Sequence, residues 1–187
     1  AHAAGHMPYF KGHDFIIKNS GRPEEYFIGQ ALVYPENDAV QILNKEFRSG
    51  ISPKEITSAV YKNVAGRDEL TKKQYLDMKL WLPGDILLKA DKMSMAHSLE
   101  LRVPFLDKRV MELAEKIPAG YKVKDGITKY VLRQAANRTI PDDWANRPKV
   151  GFPVPIRYWF REERYYKFAR EYFTSPEARQ FFNSDML

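Results

Sequence analysis

The positions of proline constrain this chain more than any other feature. Twelve prolines are spread over 187 residues, and several stand beside residues that open or close helices. A proline ring fixes φ and removes a backbone donor, so it suits the first turn of a helix and disrupts later turns. Ser52-Pro53-Lys54-Glu55 offers a Ser cap, Pro at the first helical position and Glu three residues after the cap. Ile56, Val60 and Tyr61 follow at helical spacing. Pro35-Glu36 opens an earlier helix carrying Val40, Leu43 and Phe47 and ending near Ser49-Gly50. A third is predicted from Thr71 to Trp81, stopped by Pro83-Gly84, and a fourth from Asp85 through Leu88 and Met93 towards His97. Ser98 to Leu106 alternates and contains Pro104, which predicts an extended loop or a short edge segment, not a helix.

Asp107 caps a helix with Val110, Met111 and Ala114, closed by Lys116 and Pro118. Thr128 is predicted to cap another, with Tyr130, Val131, Leu132 and Ala135 before Pro141. Arg147 to Pro155 holds three prolines and a glycine and reads as an ordered loop. Helices near Tyr158–Tyr172 and Ser175–Phe182 finish the chain, the latter repeating the cap-plus-proline start. The only strand signal is Phe15-Ile16-Ile17, and there are no repeats. The fold class is therefore mainly α, and helical packing alone could bury these faces as a bundle.

Composition excludes several classes of function. Apolar residues at 44% and aromatic residues at 13% rule out a disordered or low-complexity chain. No apolar run is long enough to span a membrane and no signal peptide is visible, so no membrane partner is expected. The absence of cysteine removes disulfide scaffolds, thiolate zinc sites and Cys nucleophiles, and suits a reducing cytoplasm. A net charge of +6 raises the question of nucleic acid. Here Lys and Arg alternate with Asp and Glu along the chain, without an Arg-rich arm or zinc-finger spacing, so nucleic acid is not an expected partner.

Two segments suit neither core nor plain surface. In the first, Gly84 to Ala96, Asp85, Lys89, Asp91 and Lys92 sit among Ile86, Leu87, Leu88, Met93 and Met95. Asp85 and Lys89 stand four residues apart, on one helical face. They either form a solvated surface pair or line a polar cavity. In the second, Arg147-Pro148-Lys149-Val150-Gly151-Phe152-Pro153-Val154-Pro155, two cations lie on a segment stiffened by prolines, and Gly151 allows close approach to another surface. Such a segment can hold phosphate oxygens, Lys as a point charge and Arg as a planar fork, or it can be an ordinary basic loop.

Taken in order, DILLKADKMSMAHSLELRVPFLD, TKYVLRQA and RPKVGFPVP resemble the C-terminal signature of glutamine-dependent asparagine synthetases. PYFKGHDFIIKNSGRPEEYFIGQ is similar to the linking region after that family's nucleotide motifs. The resemblance implies the C-terminal helical part of an adenine-nucleotide α-hydrolase-like (PP-loop ATP pyrophosphatase) α/β synthetase domain, with the parallel-sheet half absent. Residues 1–34 would be a linking segment and 35–187 a helical body. It also implies ATP with Mg2+, and a reaction in which aspartate attacks the α-phosphorus of ATP to give β-aspartyl-AMP and pyrophosphate. Ammonia, released from glutamine by an N-terminal glutaminase domain, then gives asparagine and AMP.

By resemblance, Lys149 matches the lysine that stabilises the adenylation transition state. Asp85 and Lys89 fall at or within a residue of an acidic and a basic position near the acyl substrate. Glu100 and Arg102 match motif features and read as a clip on the VPFLD loop, Lys129 and Arg133 support the same wall, and Arg147 and Gly151 serve phosphate binding or the surrounding site. No metal ligands are expected in this chain. The family's Ser-Gly-Gly-x-Asp-Ser loop is not present, since Ser20-Gly21-Arg22 has one glycine and no following Asp-Ser. Gly66-Arg67-Asp68-Glu69-Leu70 looks like the family's acidic segment but stands in the wrong order and reads as coincidence. The chain alone is therefore expected to be inactive. Its partners would be the glutaminase domain and the ATP-binding half of the same protein, with aspartate and ATP as small-molecule substrates. Its apolar faces could also drive self-association. The alternatives are a relative that makes another amide or a lactam by adenylation, and a non-catalytic helical interaction module.

Overall fold

The computed structural model describes residues 21–30, 32, 34–48, 50–151, 154–183 and 185. The strand signal at Phe15-Ile16-Ile17 lies outside them. The architecture is mainly helical, with one two-stranded hairpin among the described residues. The chain divides into two compact units, residues 1–31 with 57–148 and residues 32–56 with 149–187. No helix among the described residues is long and apolar enough to cross a membrane.

In the first unit, α1 (Pro23–Tyr26) leads to an extended segment, and α4 (Glu69–Lys79) packs against α1. The intervening α3 (Pro53–Tyr61), whose first four residues and Ser52 cap belong to the second unit, begins where its caps predict. The Ser52 hydroxyl accepts from the Lys54 N–H at 3.1 Å and donates to Glu36 Oε2 at 3.3 Å. Tyr61, Val64 and the fully buried Leu76 form a core, with Phe27, Val60, Tyr75 and Leu80 partly buried around it. Periodicity places these side chains on facing helical stripes, and their burial is the main apolar contribution here.

Polar contacts fasten the segment after α1 to this core. The Tyr61 hydroxyl donates to the Phe27 carbonyl at 2.8 Å, and the Gln30 N–H donates to Asp77 Oδ1 at 3.2 Å. Lys72, only 8% exposed, pairs with Glu24. Between them Gly29 has φ +116°, a conformation that an L side chain rarely adopts. Burial pushes the Tyr61 hydroxyl well above the ordinary tyrosine value, helped by the nearby Glu24 and Asp77 charges, so it remains a donor.

The helix expected to stop at Pro83-Gly84 does not stop there. After α4 the chain widens into a π-helical turn, Leu82–Leu87, and continues as α5 (Leu88–Met95). Pro83 has no N–H to give and its ring crowds the preceding turn; the wider turn absorbs it without ending the helix. Residues 99–103 are irregular, as expected, and lead through a 3-10 turn, Pro104–Leu106, into α6 (Lys108–Lys116). Asp107 caps α6 by accepting from the Arg109 N–H at 2.9 Å. After α7 (Ala119–Lys122), strands β1 (Val123–Lys124) and β2 (Ile127–Thr128) pair antiparallel, Val123 with Thr128 and Lys124 with Ile127. Positive φ at Asp125 (51°) and Gly126 (77°) makes the two-residue turn that Asp-Gly favours. This hairpin carries Thr128 into a strand, so the predicted Thr128 cap is replaced by Lys129, left-handed at φ 58°, ahead of α8 (Tyr130–Ala136). The short α9 (Asp142–Ala145) follows.

In the second unit, α2 (Glu36–Ile42) ends well before the predicted Ser49-Gly50. Leu43 bridges to Phe182, the Asn44 N–H donates to the Phe181 carbonyl at 2.9 Å, and the Asn183 N–H donates to the Ile42 carbonyl at 2.7 Å. The Asn44 amide also donates to the Arg179 and Gln180 carbonyls at 2.9 and 3.0 Å, satisfying the end of α12 (Pro176–Phe181). These remote contacts outweigh the helical period of Val40, Leu43 and Phe47. The predicted Tyr158–Tyr172 helix is two helices, α10 (Ile156–Trp159) and α11 (Glu163–Phe173), separated where Glu162 turns extended. Ser175 caps α12 as predicted, accepting from the Ala178 N–H at 3.1 Å.

The expectation that helical packing alone buries the apolar faces is not met. Among the described residues only Tyr61, Val64, Leu76 and Ala145 are buried hydrophobics, whereas Leu88, Met93, Met95, Leu99, Leu101, Val103 and Phe105 are all exposed. These residues lie along α5 and the loop after it.

Candidate functional site

The π-helical turn arranges the first candidate cluster. It places Asp85 four residues after Trp81 and four before Lys89, and both side chains reach the carboxylate. Trp81 Nε1 donates to Asp85 Oδ2 at 3.1 Å, and Lys89 Nζ stands 3.4 Å from Asp85 Oδ1. Trp81 as a partner was not anticipated; its spacing to Asp85 was visible, but helical continuity through Pro83-Gly84 was not. Asp85 and Lys89 are 46% and 62% exposed at their side chains, so their attraction is screened and stabilises the fold by less than about 1 kcal/mol. Asp85 also borders an open pocket of about 330 Å³, lined with Ile28, Gly29, Leu80, Trp81 and Gly84.

Glu100 and Arg102, read as a clip from the sequence, form an ion pair at 2.6 Å. In an irregular, extended segment residues two apart share a side, which lets the two chains meet. Both are largely exposed, so the contact orients the loop locally rather than anchoring it. Lys129 serves through its backbone, whose left-handed turn joins the hairpin to α8, and its side chain makes no cap hydrogen bond.

Arg133 has the most extensive contacts of the basic residues named in the motifs. Its Nε donates to the Thr128 carbonyl at 3.0 Å, and its Nη1 donates to the carbonyls of Ala145 and Arg147, both at 3.1 Å. The guanidinium thus ties the end of β2, the end of α9 and the start of the basic segment to α8.

Arg147 belongs to the first unit, while Lys149 and Gly151 belong to the second. Residues 147–151 form neither helix nor strand, as predicted, and Phe152-Pro153 lie outside the described residues. Arg147 and Lys149 are exposed, and neither side chain makes an ion pair or hydrogen bond among the described residues. Exposed cations without a carboxylate partner are available to an anion. A Cβ added at Gly151 meets nothing within 4 Å, so no described atom uses the close approach that this glycine permits. Among the described residues, no group of three or more His, Asp or Glu side chains is placed to hold a metal ion.

The Gly66–Leu70 segment has a structural explanation. Asp68 caps α4: Oδ1 accepts from the Thr71 N–H at 3.0 Å and Oδ2 from the Thr71 hydroxyl at 2.6 Å. Those hydrogen bonds, the hydroxyl's first, hold its carboxyl below the usual aspartate range.

The mainly helical architecture is consistent with a helical part of a synthetase domain. The family model for asparagine synthase matches residues 17–187, and the chain belongs to that family. It is 43% identical over 163 residues to asparagine synthetase [glutamine-hydrolyzing] 1 of Bacillus subtilis, covering 87% of this chain and 26% of the relative. A putative asparagine synthetase [glutamine-hydrolyzing] of Mycobacterium bovis is 42% identical over 151 residues, covering 81% of this chain and 23% of the relative. The asparagine synthetase [glutamine-hydrolyzing] of Gallus gallus is 44% identical over 81 residues, covering 40% and 14%. The chain thus spans about a quarter of the length of the first two relatives. No solved structure matches it.

Proposed function

We propose that this chain is the C-terminal helical portion of the synthetase domain of a cytoplasmic, glutamine-dependent asparagine synthetase, with residues 1–34 as linking segment and 35–187 as helical body. The observation that carries this reading is Lys149, an exposed cation without an ion-pair partner among the described residues, inside a motif segment of a chain matched to the family almost throughout. In this reading the rest of the domain is a PP-loop-type α/β half that binds ATP. The exposed apolar side chains from Leu88 to Phe105 pack against that half.

The physical problem of the reaction is charge. Aspartate's carboxylate must approach a polyphosphate, and negative charge builds on the phosphoryl oxygens as the acyl adenylate forms. Lys149 supplies a compact positive charge to those oxygens, and Arg147 a planar fork of donors. Asp85 and Lys89 act near the acyl substrate, the Asp85 carboxylate being held by Trp81 Nε1 and Lys89 Nζ. Magnesium bound with ATP would supply further positive charge at the phosphates.

In the full-length enzyme, Lys149→Ala should lower aspartate-dependent pyrophosphate release by on the order of a hundredfold or more while leaving glutamine hydrolysis intact. Near-normal synthesis by that variant removes Lys149 from the mechanism. The 187-residue chain alone should show no thermal shift with ATP and Mg2+, and a clear shift would mean that it binds nucleotide without the other half.

A further inference from the structure

We propose that Arg133 is a positioning residue for the basic segment, acting through Arg147; the inference rests on the phosphate-binding role proposed above for that segment. Three main-chain carbonyls converge on one guanidinium: Thr128 on Nε, and Ala145 and Arg147 on Nη1, at 3.0, 3.1 and 3.1 Å. Two of these oxygens lie 12 and 14 residues from Arg133, so the contact gathers separate pieces of chain rather than capping its own helix. Ala145 is buried, which shields that end of the clamp from water and strengthens it. Arg147 has little else to hold it. Its N–H donates to the Trp144 carbonyl only at 3.5 Å, residues 147–151 form no helix or strand, and its side chain is free of ion pairs among the described residues.

An arginine suits this task and a lysine does not. The planar fork directs several N–H donors at fixed angles, and its charge persists at every working pH, whereas an ammonium on a flexible stem cannot hold the three oxygens in one geometry. Pro148 follows immediately, and its fixed φ stiffens the backbone beyond the clamped carbonyl. Arg133 therefore sets where the Arg147 guanidinium is presented, without touching substrate itself. A displacement of about 1 Å in such a group costs on the order of a hundredfold in rate.

The test is a double-mutant cycle in the full-length enzyme, read as kcat and KM for ATP in aspartate-dependent pyrophosphate release. Glutamine hydrolysis and circular dichroism serve as checks of folding. Arg133→Ala and Arg147→Ala should each reduce kcat/KM for ATP about tenfold or more, and the double variant should be no worse than the poorer single one. Arg133→Lys, which keeps charge and length and covers the case in which the alanine variant does not fold, should fall well short of wild type. Losses that multiply in the double variant, or an Arg133→Lys enzyme with wild-type kinetics, overturn the inference. Lys149→Ala, run in parallel, separates the two claims. If it stays active, the adenylation reading itself fails; if it is inactive while the Arg133 and Arg147 losses multiply, only the positioning role fails.

Discussion

Two stretches of the first unit are rich in apolar side chains and use them in opposite ways. Between Thr57 and Leu80, helices face one another and bury Tyr61, Val64 and Leu76, the last completely. Between Leu88 and Phe105, apolar residues recur just as often, yet Met93, Leu99 and Phe105 are each more than 60% exposed. The first stretch resembles an ordinary core. The second coincides with the motif-bearing segment, contains Lys89 and follows Asp85. Stability and family signature therefore occupy different places; under the proposed function, the second stretch would pack on more of the protein.

The contrast can be broken or sharpened by substitution, measured by urea or thermal unfolding of the 187-residue chain. Leu76→Ala should have the largest effect, a loss of about 3 kcal/mol, because a fully buried leucine leaves both lost transfer energy and a cavity. Lys72→Met should cost about 2 kcal/mol by stranding Glu24 next to the core. Its pH dependence has a definite sign. The Lys72 hydrogen bond, the largest influence, lowers the Glu24 pKa. The pair's stabilisation is thus present above the ordinary glutamate value and lost as pH falls through the lower folded one, so wild type and Lys72→Met should converge in acid. Asp68→Ala should cost about 1 kcal/mol, an ordinary N-cap value for an exposed cap. Phe105→Ala should change stability by less than about 0.5 kcal/mol, although it removes a whole aromatic ring. A loss at Phe105 as large as that at Leu76 would erase the distinction between the stretches.

What the sequence revealed follows the range of the forces involved. Helix starts at Ser52, Asp107 and Ser175 were legible because a cap acts within three residues. The Val123–Thr128 hairpin also had a local signal, Asp-Gly between β-branched residues, that the helical reading passed over. The early end of α2 had none, since Leu43 and Asn44 are claimed by residues near 180. In the candidate site, the Asp85–Lys89 pair was readable from helical spacing. The Trp81 contact depends on a π-helical turn through Pro83-Gly84, a pair whose local signal is a helix stop. The Arg133 clamp was hidden for another reason: main-chain carbonyls carry no residue-type signature, so nothing in the letters at Ala145 or Arg147 marks them as its acceptors.

The division between core and motif is tested most directly by measuring stability and synthesis on a single change, Lys149→Ala in the full-length enzyme. Because that ammonium has no ion-pair partner among the described residues, the unfolding temperature should stay at the wild-type value while aspartate-dependent pyrophosphate release collapses. A variant that still releases pyrophosphate at near wild-type rate, or that loses activity only because it unfolds earlier, would contradict the account.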